Sequence, residues 1–359
     1  MSPEGTPADA FNRGGFATRL ADEIVARSEN VDLFNGPVTV NLNSAYGSGK
    51  TTFLKLLEKA LHPREYWTIY FDAWQHDLVE DPLTGFISTI SRDLDALSTS
   101  TNKLQTKVRR LAVAASKIVA RVGVQALLKG VTGMTPDQIR AIIDSDGEVP
   151  GIADDAIKGF LAKNESAFQA MGAFRRSLDD YVKTIPKPPL LVFVDELDRC
   201  RPSYSIRLLE TIKHLFNVKG VAFIVATNTA QLAHSVKAIY GEGFEAELYL
   251  KRFFTLEVRL PIPDRIPFLR EQLTSLRMLD DFRFAQKDSP DVLAWAVESV
   301  TLAFDLSLRD LILLMPHLKS IRLQQSGGKL DIYWLFFLLA LAWKKPAVFL
   351  LWSNLASRG

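Results

Sequence analysis

One nine-residue segment restricts the fold of this chain more than any other. Ser44-Ala45-Tyr46-Gly47-Ser48-Gly49-Lys50-Thr51-Thr52 follows an apolar run, Val38 to Leu42, and precedes a helical pattern over residues 51–61. Gly47 and Gly49 permit a tight turn with backbone angles closed to other residues. A strand–loop–helix of this kind aims successive backbone N–H groups and a helix N-terminus at one point, a ready cradle for an anion. The spacing follows the phosphate-loop pattern of Gly, four residues, then Gly-Lys-Ser/Thr, with Ser44 standing where the first glycine belongs. In that pattern Lys50 brings charge to the β- and γ-oxygens of a nucleoside triphosphate, and the Thr51 hydroxyl ligates magnesium.

A second segment, Leu190-Leu191-Val192-Phe193-Val194-Asp195-Glu196, is a continuous apolar strand that ends in two acids. Asp195 at the strand tip suits a magnesium ion, and Glu196 is placed to orient and deprotonate an attacking water. An acidic cluster opening a helix is the plainer alternative, since Asp198 lies nearby. Asn228 follows the strand 221–226 and fits either a water-positioning amide or a helix cap. Arg252 and Arg309 are candidates to neutralise charge on a transferred phosphoryl group, and surface ion pairs are their plain alternative.

The totals narrow the class. A chain of 359 residues suits one large α/β unit plus a satellite, and 47% hydrophobic residues with 23% charged ones supply a core without a disordered balance. A net charge of +2 gives no strong nucleic-acid signal, and no basic stripe with interleaved aromatics stands out. The lone Cys200 excludes an intrachain disulfide, and the polar first ten residues lack a signal-peptide core, so a cytoplasmic location is expected. Leu111 to Val131 carries Lys117, Arg121 and Lys129, and reads as amphipathic, on a partner or a membrane surface, rather than spanning. Ile332 to Trp343 is apolar but too short to span and is expected as a buried core helix.

Strands are expected at 38–42, 67–71, 190–194, 221–226 and 255–260, with helices between them, which predicts a doubly wound parallel sheet. Residues 98–150 read as a helical insertion. The division expected is a core over 1–263 and an all-helical domain without strands over 264–359.

These residues resemble the KAP family of P-loop NTPases, itself close to the AAA+ and STAND ATPases, over about residues 12–355. The carriers are Tyr46 to Thr52, the Phe71-Asp72-Ala73-Trp74-Gln75 element, and Val194-Asp195-Glu196-Leu197-Asp198-Arg199-Cys200 with the Leu208-Leu209-Glu210 helix after it. Tyr249 to Phe254, Leu260-Pro261-Ile262-Pro263 and Leu308-Arg309-Asp310-Leu311 complete the match. The resemblance implies that Ser44, Tyr46, Gly47, Ser48, Gly49, Lys50, Thr51 and Thr52 bind ATP. It makes Thr51 and Asp195 the Mg2+ residues, Glu196 the base, and Asn228 a sensor. It further implies that Arg252 is an arginine finger acting on a neighbouring subunit and that Arg309 touches the nucleotide from a helical lid.

Three features depart from the family pattern: Ser44 in the loop, Asp-Glu where many relatives have Asp-Asp, and no transmembrane helices between the two motifs. The implied function is a magnesium-dependent ATPase that couples nucleotide state to lid movement and homo-oligomer assembly. A separate effector or partner protein would carry the output, and bacterial anti-phage defence follows by analogy. The alternatives are a nucleotide-gated switch or scaffold with little turnover, and a membrane-surface ATPase. Trp74 is expected in core packing, His76 without a metal, and Cys200 structurally buried; the histidines show no zinc spacing.

Overall fold

The computed structural model describes residues 9, 11–29, 37–78, 82–97, 172, 175–215, 218–285, 287–324 and 328–356. The expected insertion at 98–150 and the amphipathic stretch 111–131 lie outside these. The chain divides into two compact units, Thr18–Asn43 with Glu58–Val258, and Met1–Ala17 with Ser44–Leu57 and Arg259–Gly359.

The first unit is built on a sheet whose strands are β1 (Val38–Asn43), β2 (Thr68–Asp72), β3 (Leu190–Asp195), β4 (Val221–Thr227) and β5 (Leu256–Arg259). Their order is β2-β3-β4-β1-β5. The pairs β2–β3, β3–β4 and β4–β1 are all parallel. Parallel neighbours need a crossover, and the helix Pro202–Leu215 supplies one between β3 and β4. Every residue of β3 and β4 is buried, as expected of strands covered on both faces. β2, at the sheet's edge, alternates instead: Ile69 and Phe71 are buried while Thr68, Tyr70 and Asp72 are half-exposed. That alternation puts Tyr70 and Asp72 on one face, and register puts Asp72 opposite Asp195. Phe71 and Phe86 meet edge-on at 5.0 Å in the core beneath. Each such phenyl contributes about 1.5–3 kcal/mol through burial.

The second unit is mainly helical, with helices at Ile266–Ser275, Pro290–Ala303, Leu308–Leu323, Ile332–Lys344 and Pro346–Ala356. Its core gathers Leu269, Met278, Phe282, Val297, Leu311, Met315 and Phe336. The expectation of no strand is corrected: Phe282–Arg283 and Leu330–Asp331 pair in parallel. Two residues are too few to leave a period in the sequence. The helix Ile332–Lys344 is also less buried than expected. Ile332, Phe336 and Ala340 are fully buried, one stripe at a spacing of four, while Trp334 and Trp343 are exposed. The helix Leu308–Leu323 opens on a capping box between Ser307 and Asp310. Asp310 also accepts from Trp343 Nε1 at 2.8 Å and pairs with Lys344 at 3.1 Å. Among the described residues, no helix is long and apolar enough to cross a membrane.

Candidate phosphate-loop site

The loop Ser44–Gly49 runs directly from β1 into the helix Lys50–Leu61. Its left-handed positions are Gly47 (φ +71°) and Gly49 (φ +88°); Ser44 is not among the positive-φ residues, which is how a serine fits there. A side chain at Gly47 would also collide, since a Cβ would stand 2.7 Å from Ser307 Oγ and 3.0 Å from Arg309 Cβ. The structure therefore brings Arg309 against the loop. Lys50, 9% exposed, donates from Nζ to Ser44 O at 2.9 Å and Ala45 O at 3.3 Å, with the Tyr46 ring 5.2 Å away. Thr51 and Thr52 are half-buried in the first helical turn, and Tyr46 is exposed.

Arg13 escaped the sequence reading. Its buried guanidinium donates from Nη1 to Ser48 O at 2.8 Å and from Nη2 to Pro261 O at 2.7 Å. Asp9 accepts from the backbone of Arg13 and Gly14 and so fixes the start of the helix Gly14–Glu29. Burial pulls the Arg13 pKa below the arginine range, and Asp9 opposes the shift. Nothing in the local sequence signals a contact spanning 35 and 248 residues.

In the sheet unit the strand tips carry the polar groups. Asp195, 1% exposed, accepts from Glu196 N at 2.9 Å and from Tyr70 Oη at 2.5 Å. Burial, then the charge of Asp195, pushes the Tyr70 phenol far above its ordinary range, so it remains a donor. Glu196 is left-handed (φ +60°) and heads the 3₁₀ turn Leu197–Arg199. Its carboxylate pairs with Arg199 Nε. Burial first, then Asp195, raises the Glu196 pKa, and Arg199 opposes the rise. Trp74, expected in the core, is instead 55% exposed, with the Arg199 guanidinium 5.9 Å from its ring. Ala73 takes the buried position next to it.

On the strands beyond, buried Asn41 of β1 accepts from Thr227 Oγ1 of β4 at 2.8 Å and donates to Thr229 Oγ1 at 2.9 Å. Asn43 Oδ1 accepts from Thr229 N at 3.1 Å. Asn228 caps the helix Thr229–Tyr240 through its Oδ1, and its own N–H donates to Asp198 Oδ2 at 2.8 Å. Arg252 is exposed in the turn before β5, and its carbonyl accepts from Lys213 Nζ at 2.6 Å. His76 stacks on Phe71 and meets Asp72 O and Thr89, a structural setting. Cys200 is buried, and burial pushes its thiol up.

The residues fit a nucleotide and its cation by their chemistry. The buried Ser48 Oγ in the loop has no hydrogen-bond partner, and Asp195 and Thr51 are hard oxygen donors of the kind magnesium takes. No cluster of three or more His, Cys, Asp or Glu poised for a metal occurs among the described residues. Magnesium held by one or two protein oxygens plus phosphates needs none.

Residues 13–323 match the KAP family P-loop domain. The chain belongs to the KAP family. An uncharacterized protein of Methanocaldococcus jannaschii is 23% identical to this KAP chain over 174 residues, 45% of this chain and 89% of that protein. Among solved structures, the Aeropyrum pernix ORC2 protein (ADPNP-ADP complexes) is similar at a TM-score of 0.40 and 14% identity, covering 84% of this chain. The KAP chain spans 65% of the length of that ORC2 structure, just under two thirds. C. elegans PCH-2 is similar at a TM-score of 0.40 and 11% identity, over 93% of this chain and 73% of that one. The family and the parallel sheet make this a nucleotide-binding P-loop NTPase fold with a helical C-terminal region.

Proposed function

We propose that this KAP domain binds ATP with magnesium and hydrolyses it, and that nucleotide state governs lid movement and assembly into a homo-oligomer. The observation that carries the reading is the loop itself. Two left-handed glycines turn its backbone, and Lys50 stands at the following helix's first residue. In this reading the loop N–H groups of residues 47–51 and Lys50 bind and orient the phosphates. Thr51 and Asp195 hold the magnesium ion, which when bound neutralises charge on the transferred phosphoryl group. Glu196 accepts a proton from water at its carboxylate, and Asn228 orients that water. Arg309 senses the nucleotide from the lid. Arg252, exposed on the surface, reaches a neighbouring copy. The chain would work in the cytoplasm and pass its output to a separate effector protein, with bacterial anti-phage defence proposed by analogy.

Steady-state ATP hydrolysis and particle mass, measured with and without ATP and magnesium, test this. Lys50→Ala should lose nucleotide binding. Glu196→Gln should bind and assemble without turnover, and Arg252→Ala should bind but lose hydrolysis in the assembled form. An unaltered rate in Glu196→Gln would remove the assigned base, and a wild type that binds no ATP would remove the whole reading. A second reading, a switch with little turnover, is favoured by the Glu196–Arg199 pair, which engages the proposed base. ATP-dependent assembly with negligible hydrolysis would select it.

A further inference from the structure

Trp74 and Arg199 have no assigned role in the hydrolysis proposed above, and the fold brings them together. Trp74 follows β2 in the short helix Ala73–His76, which Asp72 caps by accepting from Gln75 N at 3.0 Å. Asp72 in turn lies opposite Asp195 in the β2–β3 register, so the two strand tips present Trp74 and the turn Leu197–Arg199 side by side. The indole is 55% exposed. What it does meet is the Arg199 guanidinium, 5.9 Å from its ring.

Arg199 meets Glu196 from the other side. Arg199 Nε, at the end of the turn, pairs with Oε2 of Glu196, the residue that caps its start. The turn is anchored at its first two residues: Ser205 Oγ donates to Leu197 O at 2.8 Å, and Asp198 Oδ2 accepts from Asn228 N at 2.8 Å. Glu196 itself is held at φ +60°, a conformation L-residues rarely adopt, so its Cα–Cβ direction is fixed by the surrounding structure. The other charges acting on its carboxylate are Asp195, Asp198 and Asp72, all of like sign.

We propose that Arg199, steadied by the face of Trp74, is the positioning residue that fixes one carboxylate oxygen of Glu196 and leaves the other to meet water. The proposal rests on the reading of Glu196 as the proton acceptor. It also gives the Trp74 element and the arginine of the Asp-Glu-Leu-Asp-Arg run a shared task.

The test is steady-state ATP hydrolysis by the full chain, with nucleotide affinity and thermal melting measured on each variant. Arg199→Gln should lower kcat by about tenfold to hundredfold, the cost of a misplaced catalytic group, with KM and nucleotide affinity unchanged. Arg199→Lys should recover part of that loss, since an ammonium supplies charge without the planar fork. Trp74→Leu should lower kcat less, and Trp74→Phe should restore it. Trp74→Leu should add nothing in the Arg199→Gln background, because the indole acts through the arginine. An Arg199→Gln enzyme with wild-type kcat, or a faster one, overturns the proposal alone, as does full additivity of the two substitutions. A wild type that binds ATP without turnover overturns the reading of Glu196 and this proposal with it. Should Arg199→Gln fail to fold, Arg199→Lys and the two Trp74 variants decide by the same split between kcat and KM.

Discussion

Tyr70 reaches across the β2–β3 ladder and donates its hydroxyl to Asp195 Oδ2 at 2.5 Å. The bond joins an edge-strand side chain to a carboxylate that is 1% exposed. Tyr70→Phe leaves that buried acid one donor short and should cost about 1.5–3 kcal/mol in urea unfolding, as for bonds to charged groups. Its folded pKa lies above its unfolded one, so the contribution is intact below about pH 10 and is lost as the pH rises further. Equal stability of the two proteins at pH 7 would mean the bond contributes nothing.

At Gly47 both conformation and space exclude a side chain. Gly47→Ala should cost about 1–3 kcal/mol, the scale of a strained backbone position, and weaken ATP binding in a fluorescence titration. The nearest obstacle is Ser307 Oγ. Ser307→Gly placed in the same chain should return part of the binding, and an additive outcome would place the defect in the backbone angle alone.

Arg13 ties two carbonyls with one side chain. Arg13→Gln removes a charge-assisted donor from Ser48 O and Pro261 O and should destabilise by about 1.5–3 kcal/mol. Arg13→Lys, unable to span both oxygens, should recover less than half of the loss. Chemical denaturation of the three proteins side by side gives the answer.

A pH-dependent effect is expected at Glu210, which accepts from Tyr249 Oη at 3.0 Å. Burial raises its folded pKa, while Tyr249 and Arg207 pull it down less. Ionisation therefore costs the folded state more than the unfolded one, and that cost disappears as the pH falls below the unfolded value of about 4.3. Glu210→Gln, which keeps an acceptor for Tyr249, should raise the melting temperature at pH 8 and change it little near pH 4. A variant less stable at both pH values would contradict this.

Much of the sheet was legible because its strands are continuous apolar runs or alternating ones, bounded by Pro186 to Pro189, Gly220 and Pro261. The helix Thr229–Tyr240 was likewise readable end to end, since Asn228 announces it. The phosphate loop was legible because glycine spacing is a local property. What escaped depended on distant chain. Arg13 gains its meaning from Ser48 and Pro261. Tyr70 gains its own from a register that only strand order fixes. Trp74 looked like core because an aromatic near a strand end usually is, and only the short helix after Asp72 turns it outward. The Ile332–Lys344 helix was misjudged because its composition is apolar all round while only one stripe is covered.

The strand order carries a last implication. With β4 interposed between β3 and β1, the tip that ends in Asp195 and the tip that leads into the loop are two ladder spacings apart, roughly 9–10 Å. Backbone hydrogen bonds set that gap, and no side-chain substitution can alter it. Substitutions at either strand tip therefore change the groups presented there, while the spacing of β3 and β1 stays as the two ladders set it.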